Sequence, residues 1–172
     1  MWFDTQDKLR AYLESHADIS SLELECDGVI RSLPHLPNSV TDLQINYGPG
    51  LYFLSNLPDS LTELRVYNCT ELEALPDPKD HLEDLAIFNC PKLKKLPRLP
   101  GSLTRLRTYE CGMLSVVPNL PSGLKNLALN NCPALNALPD LPGSLTYLHI
   151  IGCPGLAGDD AIRFGNLRIR VG

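Results

Sequence analysis

The residues with the most chemistry to offer are six cysteines. Cys69, Cys90, Cys111, Cys132 and Cys153 recur every 21 residues, so a structure that obeys this period sets them in a row. A row of parallel thiols suits neither a disulfide, whose torsion is close to a right angle, nor a metal ion, which needs ligands around it. The row is expected to be buried and free of disulfides. Its thiols should be unreactive, because apolar surroundings disfavour the thiolate. Cys26 stands one residue earlier in its unit and is expected to face solvent.

Other chemistry is sparse. The chain has no Gly-x-Ser-x-Gly, no phosphate-cradling Gly loop and no His-Glu-x-x-His. Of His16, His35, His81 and His149, only His149 falls on a strand face that reaches solvent, where a histidine is expected to contact a partner. Asp159-Asp160 is read as part of a loop or cap. No catalytic residue, metal or cofactor is expected, and the chain is not read as an enzyme.

A second periodic set points to binding. Tyr67, Phe88 and Tyr109 share the 21-residue spacing, and Arg65 and Arg107 lie on the same grid two units apart, with Ala86 between them. Arg105, Tyr147 and His149 fall on the same strand face. Exposed aromatic and Arg side chains with Ala86 and Ala128 between them have the composition of a protein-binding hot spot. An exposed Phe88 at the centre of a sheet also calls for cover. These eight residues form the candidate partner-binding set.

The elements that must position them follow from the repeat. Ile19, Val40, Leu61, Leu82, Leu103, Leu124 and Leu145 lie on one 21-residue grid. Counted from these starts, apolar residues return at offsets 3, 5, 11 and 14, as in Leu85, Ile87, Leu93 and Leu96. Alternation at offsets 3 and 5 predicts a short strand with one buried face. Strands are expected near 21–26, 42–47, 63–68, 84–89, 105–110, 126–131 and 147–152, in one parallel sheet. One such strand cannot bury its face alone, so the units must stack and share a core. A period of this length with this Leu spacing is that of a leucine-rich repeat. The return carries Leu-Pro, twice in units such as Leu96-Pro97-Arg98-Leu99-Pro100 and Leu138-Pro139-Asp140-Leu141-Pro142. Pro removes a backbone donor and fixes φ, so the convex face should be extended and polyproline-like, without helices.

The phrase Leu99-Pro100-Gly101-Ser102-Leu103-Thr104-Arg105-Leu106 repeats as Leu57-Pro58-Asp59-Ser60-Leu61-Thr62-Glu63-Leu64 and as Leu141-Pro142-Gly143-Ser144-Leu145-Thr146-Tyr147-Leu148. It resembles the short Leu-Pro repeats of bacterial type III effectors of the YopM and IpaH kind, over residues 19–165. The units depart from that pattern in having a Cys followed three residues later by Leu, as in Asn89-Cys90-Pro91-Lys92-Leu93. This adds the twenty-first residue and is similar to phrases in plant disease-resistance receptors. The ubiquitin-ligase domain that follows the repeats in the IpaH kind is not in this sequence, so no ligase activity carries over. The resemblance implies a virulence effector that binds a host protein.

The ends depart from the repeat. Residues 1–18 are expected to cap the solenoid with one amphipathic helix over Thr5–Ser15, with Leu9, Tyr12 and Leu13 on one face and Asp4 or Thr5 as N-cap. Trp2 and Phe3 would cover the open core. The repeats occupy 19–163. Residues 164–172, with Phe164, Leu167, Ile169 and Val171, suggest a terminal strand.

The chain has 172 residues, 15 of them Pro, and a net charge of −5. Residues 1–86 carry 16 acidic and 5 basic side chains, whereas 87–172 carry 4 and 10. The concave face should therefore run from acidic (Glu23, Glu25, Asp42, Glu63, Glu83, Asp84) to basic (Arg105, Arg107, Lys125, Arg168, Arg170). The cluster Lys92, Lys94, Arg98 stands one unit after Glu71, Glu73 and Asp77, so ion-pair ladders are expected there rather than a nucleic-acid site. No apolar run is long enough to span a membrane. The first residues do not read as a secretory signal, and unpaired cysteines suit a reducing compartment. The expected location is the cytoplasm, or a host cell reached without a cleaved signal. The expected function is a monomeric protein-binding module working through its concave face. The partner would be a host protein or, for a bacterial immunity protein, a cognate toxin. An alternative is the substrate-recruiting part of a larger enzyme such as an effector ubiquitin ligase; a receptor ectodomain fits less well.

Overall fold

A computed structural model describes residues 2–26, 28–54, 56–156 and 168–171, with the backbone alone for 2–3 and 168–171. The order is β1 (Trp2–Phe3), α1 (Gln6–Ser15), β2 (Ser21–Cys26), β3 (Asp42–Tyr47), β4 (Glu63–Tyr67), β5 (Asp84–Phe88), β6 (Arg105–Tyr109), β7 (Asn126–Asn130), β8 (Tyr147–Ile151), a short 3-10 turn (Pro154–Leu156) and β9 (Arg168–Val171). The nine strands form one sheet in sequence order, and every pair is parallel. The result is a parallel β-solenoid.

The apolar residues at offsets 3, 5, 11 and 14 close the core, as Leu85, Ile87, Leu93 and Leu96 do in one unit. Thr108 stands at offset 5 among these apolar side chains and is fully buried. Its hydroxyl lies 3.5 Å from the Cys132 thiol, which offers the polar partner a buried hydroxyl needs.

The Ser-Leu-Thr phrase has a structural reason. Ser60, Ser102 and Ser144 donate to the carbonyls of Val40, Leu82 and Leu124 in the preceding turn at 2.9, 2.7 and 2.6 Å. Thr62, Thr104 and Thr146 donate likewise to Thr41, Glu83 and Lys125 at 2.9, 3.2 and 3.1 Å. Each hydroxyl ties one unit to the last where the strand begins, before the sheet ladder takes over. Among the described residues the returns contain neither helix nor strand beyond that short 3-10 turn and two isolated parallel bridges, Phe53↔Ala74 and Lys95↔Val116.

From β4 to β8 the strands end one residue earlier than the spacing predicts. The residue at offset 7 leaves the strand in the left-handed region: Asn68 at φ 55°, Asn89 at 51°, Glu110 at 56°, Asn131 at 52° and Gly152 at 66°. Asn tolerates this conformation better than most side chains.

At the N-terminal end α1 is capped by Thr5, whose hydroxyl accepts from the Lys8 N–H at 3.3 Å. Leu9 and Leu13 are buried, and Tyr12 packs beside them. Residues 2–3 add a strand that the sequence reading did not anticipate, paired with Glu25 and Cys26. The side chains of Trp2 and Phe3, and residues Phe164 and Leu167, lie outside what is described. Ile169 and Val171 do fall in a terminal strand. No helix among the described residues is long and apolar enough to cross a membrane.

Candidate functional site

Residues at offsets 2, 4 and 6 stand on the side of the sheet that faces away from the core. Each strand pair is in register across this face, Arg65↔Ala86↔Arg107 and Tyr67↔Phe88↔Tyr109. The three rings therefore stack face to face. Tyr67 and Phe88 have centroids 4.8 Å apart with planes 16° from parallel, and Phe88 and Tyr109 are 4.6 Å apart at 5°. All three are half-buried, because each ring covers its neighbour.

Beside the rings, charge is drawn inward. Asp84 points to the outer face yet is 2% exposed. Arg105 Nε donates to Asp84 Oδ2 at 3.0 Å, and Arg107 Nη2 donates to Oδ1 and Oδ2 at 3.0 and 2.9 Å. Arg107 lies directly opposite Ala86, and the absence of a larger side chain there lets its guanidinium reach back one strand to the carboxylate. Arg105 also approaches Glu63 at 3.8 Å. Arg65 pairs with Asp42 at 3.2 Å and with Glu63. Burial works to lower the Arg65 pKa, and the charges of Glu63 and Asp42 outweigh it and raise it. From β3 to β6 the predicted acidic-to-basic gradient is thus a network of three carboxylates and three guanidiniums paired with one another. The side chains of Arg168 and Arg170, at the basic end of that gradient, lie outside what is described.

The remaining candidates stand apart. Tyr147 is exposed and its ring lies 6.1 Å from His149, tilted by 52°. His149 Nδ1 is 3.5 Å from Asn130 Nδ2. Arg107 Nε and Asn130 Oδ1 are buried without a hydrogen-bond partner among the described residues. The eight candidates therefore divide into a ring stack, an arginine network of Arg65, Arg105 and Arg107 joined through Asp42, Glu63 and Asp84, and a polar end at β8. Reading residue types along the chain missed Asp84 as the hub. The signal was present in the small Ala86 next to two arginines on the following strand.

The thiols lie behind the rings. All six cysteines are free and buried. Cys69, Cys90 and Cys111 each place Sγ 3.6 Å from the carbonyl oxygen two residues back, which belongs to Tyr67, Phe88 or Tyr109. At Cys69, Cys111 and Cys153 the hydrogen bond to the neighbouring thiol, and then burial, push the thiol above its ordinary range. At Cys90 and Cys132 the same contact acts in the acceptor's direction, downward and against burial. Gly48 takes the Cys position in the second unit, where an added Cβ would stand 3.0 Å from Cys69 Sγ.

The expectation for Cys26 is corrected. It is fully buried, because β2 alternates without interruption and places Leu22, Leu24 and Cys26 on the core side. The register with β3 slips after Leu24, so that Glu25 pairs with Tyr47.

The flank ladder is present in two of its three expected rungs. Lys92 meets Glu71 and Lys94 meets Glu73, each at 2.7 Å. The third differs: the backbone N–H of Arg98 donates to Asp77 at 2.8 Å, and its guanidinium turns to Asp80 at 3.7 Å. No group of three or more His, Cys, Asp or Glu that could hold a metal ion occurs among the described residues; Asp159-Asp160 lies outside them. No family model matches the chain, and no curated protein matches it.

Proposed function

We propose that the chain is a leucine-rich-repeat module that binds a protein partner across the concave face of its sheet. The stack Tyr67–Phe88–Tyr109 is the observation that carries this reading. Rings stacked on each other present their edges outward, and only the outer faces of Tyr67 and Tyr109 are left for stacking. A base or a sugar needs a free ring face, so an edge-on strip suits either poorly. It suits the apolar side chains of a protein surface, which need area and not a particular ring orientation. The Asp84 cluster beside it holds Arg105 and Arg107 in fixed directions at little entropic cost on binding.

The Leu-Pro repeats support a bacterial effector that acts in the cytoplasm of a host cell, with the partner a host protein. The test is capture from host and bacterial lysates, with the wild type compared with the Tyr67/Phe88/Tyr109 triple Ala variant, followed by surface plasmon resonance on the captured protein. Phe88→Ala should weaken binding by about 2 kcal/mol or more, in the hot-spot range, with circular dichroism unchanged. A partner that binds wild type and triple variant equally would refute the concave-face reading.

A further inference from the structure

Four of the seven exposed large hydrophobic side chains among the described residues gather on a different surface. Tyr52, Phe53, Met113 and Val116 are all exposed, and all stand at offsets 10, 12 or 13, on the flank just after each strand. This flank has its own register. The N–H of Glu73 donates to the Tyr52 carbonyl at 3.2 Å, that of Lys94 to Glu73 at 3.4 Å, and that of Ser115 to Lys94 at 3.1 Å. Residues of equal offset therefore form columns that cross four consecutive turns.

Offset 10 reads Gly50, Glu71, Lys92, Met113, offset 12 reads Tyr52, Glu73, Lys94, Ser115, and offset 13 reads Phe53, Ala74, Lys95, Val116, so the flank as a whole changes character from turn to turn. The second turn is apolar, with Tyr52 and Phe53. The third is acidic, with Glu71 and Glu73. The fourth is basic, with Lys92 and Lys94. The fifth is apolar again, with Met113 and Val116. Read backwards the order is apolar, basic, acidic, apolar. Laid against the forward order, Glu71 and Glu73 meet Lys92 and Lys94, and Phe53 meets Val116, with Gly50 opposite Met113, Tyr52 opposite Ser115 and Ala74 opposite Lys95. A surface of this kind is complementary to itself about a two-fold axis that passes between the third and fourth turns.

We propose that this flank pairs two copies of the chain as an antiparallel dimer. Phe53 and Tyr52 of one copy cover Met113 and Val116 of the other. Glu71 and Glu73 of each copy meet Lys92 and Lys94 of its partner, in addition to the 2.7 Å pairs they make within their own chain. Parallel packing would set acid on acid and base on base, so the charges select the antiparallel arrangement and the apolar ends supply most of the affinity. At about 4.8 Å per turn the two apolar rows are roughly 14 Å apart, which makes the contact small and the dimer reversible at micromolar or higher concentration. This surface shares no residue with the concave-face candidates.

Sedimentation velocity of the full chain over a concentration series tests the proposal. The wild type should pass from monomer to dimer. An all-acidic flank (Lys92→Glu with Lys94→Glu) and an all-basic flank (Glu71→Lys with Glu73→Lys) should each lower the association constant at least tenfold, with circular dichroism confirming that both fold. An equimolar mixture of the two variants should dimerise again. Phe53→Ser should weaken the dimer, and Phe88→Ala should leave it unchanged. A wild type that stays monomeric at the highest concentration, a dimer indifferent to both charge variants, or a mixture that does not re-associate would each overturn the proposal.

Discussion

The first unit and the central units bring a cysteine into the same core by different routes. In β2 the chain simply alternates, so Glu25 faces out and Cys26 faces in. In the central units the outward residue and the cysteine are two apart, as Tyr67 and Cys69 or Phe88 and Cys90. Plain alternation would put such a pair on one face. The residue between them is left-handed, Asn68 or Asn89, and it reverses the direction of the following side chain. One extra residue in an unusual conformation thus ends the strand, turns the thiol inward and leaves its S–H beside the carbonyl of the ring-bearing residue. The aromatic stack outside and the thiol row inside are two consequences of one turn.

The largest test of this contrast is in the core that both routes serve. Leu93 is fully buried in a unit stacked on both sides, and Leu93→Ala should cost about 2–5 kcal/mol in urea unfolding. Leu22→Ala, in the first unit, should fall at the lower end of that range, because a terminal unit relaxes more easily around a cavity. Equal costs would mean that the first unit is as constrained as the centre.

A smaller effect is expected on the outer face. Asp84 and Asp42 stand at the same offset, but the Asp84 side chain is 3% exposed and that of Asp42 is 36% exposed. Asp84→Ala strands two guanidiniums that remain partly in water, so the loss should be about 1–3 kcal/mol rather than that of a fully buried pair. Asp42→Ala should cost about 0–1 kcal/mol. Unfolding midpoints of the two variants measure the difference directly.

The turn itself comes next. Asn89→Val places a β-branched side chain at φ 51° and should destabilise by about 1–2 kcal/mol. Asn89→Gly should be neutral or stabilising. Glu25→Val, on the outward face of β2, should change stability by less than about 0.5 kcal/mol. If Asn89→Val were as mild as Glu25→Val, the left-handed residue would not be what separates the two routes.

The last test predicts no difference. Native-state thiol labelling followed by mass spectrometry should find Cys26 as slow as Cys90, since both are fully buried. Fast labelling of Cys26 alone would show that the first unit opens on its own.

The spacing of leucines carries the strands, their order and their inward faces, because a core residue must return at each turn of the stack. It carries the aromatic column too, since equal offsets in a parallel sheet become neighbours. Two things were not legible for physical reasons. A left-handed φ leaves little mark on hydropathy, and Glu110 adopts one without the Asn that would announce it. The burial of Asp84 depends on Arg107 reaching across a strand over Ala86, which is a matter of side-chain length against neighbouring volume.

By itself the amino-acid order determined a periodic chain with one apolar face per unit, and any fold that buried that face had to stack the units in parallel. Tertiary structure alone decided which outward residues stay outward. Alternation sets only the initial direction of a side chain. Its final environment depends on what the next strand offers within reach, a carboxylate for Arg105 and Arg107 and a ring on either side for Phe88. Those partners lie about 21 residues away in the chain and come within a few ångströms only when the turns close.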